Sequence, residues 1–116
     1  MIYMGERHIL GLTEDIIVIG SEEKMLRARI DSGATSSSID KQLVESLNLG
    51  PVIRMKLVKS ASGVGERPII EAEVKINGSI IKDEFTIADR SHMTYQILIG
   101  QNTLKKGQFL IDPLKE

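Results

Sequence analysis

The sequence predicts a single all-β domain carrying one short helix. Three observations lead there. Ile, Val and Leu are plentiful while the chain holds only two Phe, two Tyr and no Trp, so its core is built from aliphatic side chains, many of them β-branched and suited to a pleated surface. Apolar and polar residues alternate with period two in separate stretches, among them 25–30 and 70–76, which is the pattern of strands with one face buried. Asn77-Gly78 stands between two such stretches, and this pair accepts the positive φ angles of a two-residue hairpin turn.

At 116 residues the chain has the length of one domain, 1–116, with one modest core, and no linker, repeat or low-complexity tract divides it. Ile16-Ile17-Val18-Ile19, closed by Gly20-Ser21, reads as a strand, followed through a turn by a second in which Leu26, Ala28 and Ile30 alternate with Arg27 and Arg29. Over 39–49, Ile39, Leu43, Val44 and Leu47 follow helical spacing; Asp40 can cap this helix and Gly50-Pro51 stops it. Alternation returns over 52–59. Residues 60–65, Ser-Ala-Ser-Gly-Val-Gly, are too polar and glycine-bearing for a strand interior and read as a mobile hairpin tip. The hairpin about Asn77-Gly78 resumes over 81–87. After a polar stretch come the short buried run Ile97-Leu98-Ile99-Gly100, a helical turn over 102–106 and a last strand over 109–111, ended by Asp112-Pro113.

Fifteen basic and sixteen acidic residues give a formal charge of −1, with no footprint for nucleic acid or an anionic membrane. No cysteine is present, which excludes disulfides, a thiolate nucleophile and Cys-ligated zinc, and fits a cytoplasmic location. Charged residues interrupt the first twenty positions, and no apolar run approaches a membrane span. His8 and His92 are the only histidines, no His-Glu-x-x-His helix occurs and no glycine-rich phosphate loop with Lys and Ser/Thr is found, so neither metal nor cofactor is predicted.

Chemistry concentrates in Asp31-Ser32-Gly33-Ala34-Thr35, which follows a strand directly. Two carboxylates in contact cannot both ionise, so such a pair holds one base and one acid and can drive water onto a peptide carbonyl with no metal or covalent intermediate. Asp31 is the candidate for half of that pair; the Ser32 hydroxyl can bond within the loop, and Gly33 permits a close approach. The same three letters are also ordinary turn residues.

Ile97-Leu98-Ile99-Gly100 downstream narrows the choice, because two apolar residues, Gly and a short helix resemble the second signature of retropepsin-type aspartic proteases. That resemblance implies an acid-protease closed β-barrel, antiparallel, with a flap hairpin at Gly63, Val64, Gly65 and Arg67. It also implies a homodimer in which the Asp31 residues of both copies meet over a peptide or protein substrate, the loop being supported by Ser32, Gly33, Ala34 and Thr35. Ala28-Arg29-Ile30-Asp31-Ser32-Gly33-Ala34, Glu66-Arg67-Pro68, Asp89-Arg90-Ser91-His92-Met93 and Phe109-Leu110-Ile111-Asp112-Pro113 are similar to the RimB-like group, labelled ATP-dependent zinc proteases and associated with ATP-grasp glutamate ligases. From it follow an ATP-grasp ligase partner and glutamate-rich tails as substrate. The zinc label finds no ligand set here. The chain departs from the group at Thr35, where a basic residue is usual, and at Gln101, where Arg often follows the glycine. A catalytically silent retropepsin-like module that binds peptides or a partner is the alternative.

Arg67 and Arg90 suit bidentate binding of a substrate carboxylate, or structural ion pairs with Glu66, Asp89 or the surroundings of Asp31. His92 reads as a solvated loop residue. Asp83 shares a strand face with Ile81, Phe85 and Ile87, so it either meets a cation or marks a bulge. Asp112 is assigned no chemistry.

Overall fold

Alternating sequence becomes sheet over most of the chain. The computed structural model describes residues 7–60 and 63–115. Among these lie the strands β1 (Ile9–Leu10), β2 (Thr13–Ile19), β3 (Glu23–Ile30), β4 (Ser37–Asp40), β5 (Val52–Ser60), β6 (Gly63–Ile76), β7 (Ser79–Ala88), β8 (Ile97–Ile99) and β9 (Leu110–Ile111). Helix α1 (Lys41–Ser46) follows β4, and α2 (Gln101–Lys106) follows β8.

The larger sheet runs β2-β3-β8-β4-β7-β6-β5, and β2 pairs again with β6, so that β2, β3, β8, β4, β7 and β6 close into a barrel. The predicted closed barrel is therefore present, but its pairing is mixed, with β3–β8 and β4–β7 parallel. Between β4 and β7 the chain makes a helix and a long hairpin, a crossover long enough for a parallel return.

Buried residues follow the sequence alternation: Ile16 and Val18 from β2, Ala28 and Ile30 from β3, and Ile70, Ala72, Val74 and Ile76 from β6, around the fully buried Phe85 of β7. Ile76 pairs with Ser79, and the turn between them has φ of 47° at Asn77 and 85° at Gly78, both in the left-handed region that this pair tolerates.

Two expectations are corrected. Ile39 is buried as a strand residue, held between Ile97 of β8 and Ile87 of β7, so tertiary pairing overrides the helical spacing there. The helix starts only at Lys41, with Asp40 as its N-cap accepting the Gln42 N–H. The other correction concerns residues 60–65. Strands β5 and β6 pair as far as Ser60 with Gly63, placing Gly63, Val64 and Gly65 in the ladder. That half of the hairpin is an arm beyond the barrel, where residues 63–67 are exposed and a missing side chain sacrifices no packing. The remainder of the expected tip, Ala61 and Ser62, lies outside the described residues.

Strands β1 and β9 pair in parallel as a separate sheet. Two residues are too few to show a period, and β1 went unpredicted. Lys115 Nζ donates to Ile9 O (2.7 Å) and Glu14 Oε2 (2.9 Å), securing this sheet.

Candidate active site

Parallel pairing of β3 with β8 sets Ile30 beside Ile99 and so brings the two sequence signatures together. Asp31 is the first residue beyond that ladder, and its N–H donates to Ile99 O at 2.9 Å. The loop then closes on itself: Gly33 N donates to Asp31 Oδ1 (2.9 Å) and Ala34 N to Asp31 O (3.2 Å). It is also held from α2, where Gln101 N donates to Ala34 O and Gln101 Nε2 to Ser32 O, each at 2.8 Å. Gln101, the departure from the family pattern, thus has a positioning contact of its own. The Ser32 hydroxyl makes no bond among the described residues; the carbonyl of Ser32 takes the role expected of it.

Gly100 is required by this contact. A Cβ there would lie 2.6 Å from Ser36 C, 2.7 Å from Ser36 O and 2.9 Å from Ala34 O, all backbone atoms of the loop that follows Asp31. Gly33 is less constrained, since its Cβ would meet only Asp31 Oδ1 at 3.2 Å.

Behind the loop runs a polar network that sequence reading missed. Gly100 N donates to Ser37 Oγ, and Ser37 N to Asn102 Oδ1, each at 2.9 Å. Asn102 Nδ2 donates to Glu84 O (2.9 Å). Thr103 Oγ1 donates to Asp83 Oδ2 (3.0 Å) and lies 2.7 Å from Ser37 Oγ, which is also 3.1 Å from Asn102 Oδ1. Its signal was available as the Ser36-Ser37-Ser38 run and Asn102-Thr103, small polar residues that closely follow the two motifs. Asp83 is corrected here. Its ladder with Ala72 is continuous, and its carboxylate accepts from Thr103 and from the Glu84 N–H, so hydroxyl and amide donors replace both the cation and the bulge.

Over this floor the β5–β6 arm is tied by two contacts. Lys56 Nζ donates to Ser36 Oγ at 2.7 Å. The Arg54 guanidinium grips both carboxylate oxygens of Glu84, with Nη1 to Oε2 at 2.9 Å. That bonding holds the Glu84 carboxyl below its ordinary range, against a smaller opposing effect of desolvation.

Between arm and loop lies a cavity of about 390 Å³ that brings together Ala34, Thr35, Arg67 and Arg90 of the predicted residues, with Lys56 and Lys59. Asp31, Ser32 and Gly33 do not line it. Ser32 instead borders a separate cavity with Gln101 and Phe109. Gly63, Val64 and Gly65 are exposed farther out on the arm and line neither, because the ladder carries them past the barrel end. Arg90 is 9% exposed; its N–H donates to Asp40 Oδ1 (2.7 Å) and its Nε to Tyr95 O (2.9 Å), and it forms no ion pair with Asp89 or Asp31. Burial is the main cause lowering its pKa, Asp40 opposes that, and Arg67 and Asp31 act on it more weakly in opposite directions. Arg67 is exposed and makes no ion pair among the described residues. His92 is exposed. Among the described residues no three His, Asp or Glu side chains converge on a metal position, so the donor set does not fit zinc, and no helix is long and apolar enough to cross a membrane.

A family model described as RimB-like, retropepsin-like aspartic endopeptidase RimB, matches residues 40–116, a span that begins after the Asp31 loop. A probable alpha-L-glutamate ligase of Desulfotalea psychrophila is 26% identical over 88% of this chain and 30% of its own length. DNA damage-inducible protein 1 of Saccharomyces cerevisiae is 32% identical over 78% of this chain and 21% of its own length. The chain thus spans less than a third of these relatives. Among solved structures, simian foamy virus protease superposes with TM-score 0.62 at 20% identity, covering 80% of this chain and 91% of that one. A Legionella pneumophila protein of unknown function gives TM-score 0.67 at 16% identity over 95% and 96% of the two chains. With the family model, the viral protease establishes the retropepsin-like fold.

Proposed function

The chain belongs to the RimB-like family of retropepsin-like aspartic endopeptidases, and on that premise we propose that it hydrolyses peptide bonds at a site completed by a second copy of itself. One observation carries this reading: Asp31 is half-buried on a loop braced from three sides, and among the described residues its carboxylate accepts only the Gly33 N–H. Asp-Ser-Gly occurs once in these 116 residues, and on this reading the second carboxylate comes from another copy of the chain, with a two-fold axis between the Asp31 residues.

In contact, the two carboxylates hold one proton between them. The ionised one takes a proton from water as the water oxygen bonds to the scissile carbonyl carbon, and the protonated one gives its proton to the carbonyl oxygen. As the tetrahedral species collapses, the C–N bond breaks. The first carboxyl passes its proton to the leaving amine and the second recovers one from the diol. Ser32, Gly33, Ala34 and Thr35 hold the carboxylate in place, while the arm, with Gly63, Val64 and Gly65 toward its end, excludes water around the peptide.

The cavity beneath the arm carries Lys56, Lys59, Arg67 and Arg90, and among the described residues no Asp or Glu lines it, which favours acidic peptides. Together with the glutamate ligases among the relatives, this supports glutamate-rich tails as substrate and an ATP-grasp ligase as partner. The test is cleavage of glutamate-rich peptides by wild type and Asp31→Asn across the concentration range of dimer formation. Cleavage that is absent in the variant and rises steeply with subunit concentration supports the paired mechanism. A verified dimer that cuts nothing puts the binding-module reading ahead.

A further inference from the structure

Beneath the arm the groove has two compartments. The cationic one of about 390 Å³ adjoins another of about 520 Å³, and Ser36, Lys56, Leu57 and Thr86 border both. The Lys56–Ser36 hydrogen bond therefore stands at their junction.

Their chemistry differs in which polar groups are already engaged. In the larger compartment Arg54 and Glu84 bind each other, Asp83 accepts from Thr103, and Asn102 serves Ser37 and Glu84 O. What remains for an occupant is the exposed apolar surface of Met55 and Leu57. A second carboxylate placed there would meet Asp83 and Glu84.

In the smaller compartment Lys56 is engaged by Ser36, but other donors are free. Lys59 and Arg67 make no side-chain hydrogen bond or ion pair among the described residues, and Arg90 engages only Nε of its side chain. Ser38 borders this cavity, and its hydroxyl is buried with no partner among the described residues. A buried donor without an acceptor is costly, and cations facing a carboxylate form the stronger class of hydrogen bond.

We infer that the groove reads two side chains of opposite character on one extended peptide: an acidic one among Arg67, Arg90 and Ser38, and an apolar one against Met55 and Leu57, with Lys56 between them. Side chains on one face of an extended chain recur at every second residue, so the preferred pattern is acidic–any–apolar or its reverse, and a uniform run of glutamate is a poorer ligand. This inference rests on the peptidase reading for its occupant, a peptide, and not for the chemistry.

The test measures fluorescence anisotropy of the Asp31→Asn protein, at concentrations where it is dimeric, with labelled peptides that differ only in Glu-x-Leu, Leu-x-Glu, Glu-x-Glu or Leu-x-Leu. One mixed peptide is expected to bind about tenfold tighter than both uniform ones, the size of one charge-assisted hydrogen bond or one buried side chain. Arg67→Glu should abolish that advantage while leaving Leu-x-Leu unchanged, and the uncharged truncation Met55→Ala should weaken the mixed peptide while leaving Glu-x-Glu unchanged. Equal or tighter binding of Glu-x-Glu, a ranking indifferent to Arg67→Glu, or no binding of any peptide overturns the inference. A mixed peptide bound with this ranking but left intact by wild type overturns the peptidase reading and upholds this one; cleavage without the ranking does the reverse.

Discussion

Replacing Gly100 with alanine drives a methyl group into the backbone of the loop that carries Asp31. Its Cβ would stand 2.6 Å from Ser36 C and 2.7 Å from Ser36 O, so the loop must move, because no flexible side chain is there to yield. Overpacking of this kind costs about 1–3 kcal/mol. Displacement also disturbs the bonds from Gly100 N to Ser37 Oγ and from Gln101 N to Ala34 O, at roughly 1 kcal/mol each. A total near 3–5 kcal/mol is a large part of the roughly 5–15 kcal/mol that holds a domain folded, and corresponds to a fall in Tm of roughly 10–30 °C. Urea unfolding followed by circular dichroism measures it, with Gly65→Ala as the matched control. Nothing lies within 4 Å of a Cβ at Gly65, so that variant should stay within about 0.5 kcal/mol of wild type. If Gly100→Ala is as stable as Gly65→Ala with an unchanged denaturant slope, the account of the second signature as a backing for the Asp31 loop is wrong.

Asn102→Ala removes the partners of Ser37 N and Glu84 O and should cost about 2 kcal/mol, with faster amide exchange at Ser37; unchanged exchange there would refute its bridging role. Ser38→Ala removes a buried hydroxyl that has no partner among the described residues and should raise unfolding stability by about 1 kcal/mol while weakening acidic peptides, whereas a loss of stability would show that the hydroxyl is bonded in solution. The Arg54 hydrogen bond holds the Glu84 carboxyl below its ordinary value of 4.5, so the arm tether is complete above that pH and is lost as pH falls from there through the lower folded-state value. Both side chains are more than a third exposed, so the effect is local: exchange protection of β5, corrected for intrinsic rates, should fall with acid in wild type and be low and insensitive to acid in Glu84→Gln.

The strand at 16–19, period-two burial over 25–30 and 70–76, the Asn77-Gly78 turn and the Asp40 cap were legible in the sequence, because each depends on residues near one another in the chain. So were the two motifs that meet at the site. Local patterns could not show that Ile39 belongs to a strand, since its partners Ile87 and Ile97 are remote. Nor could they reveal Ser37, Asn102 and Thr103 as one network, whose bonds join residues more than sixty positions apart.

By itself the sequence determined the strand-rich class, the hairpin and the presence of Asp31-Ser32-Gly33, because alternation and turn chemistry are properties of neighbouring residues. Tertiary structure alone decided that β8 enters between β3 and β4, that Gly100 must lack a side chain to admit the Asp31 loop, and which donors under the arm remain free. Those outcomes depend on which distant segments are brought within hydrogen-bond and van der Waals range, and only the closed barrel fixes that.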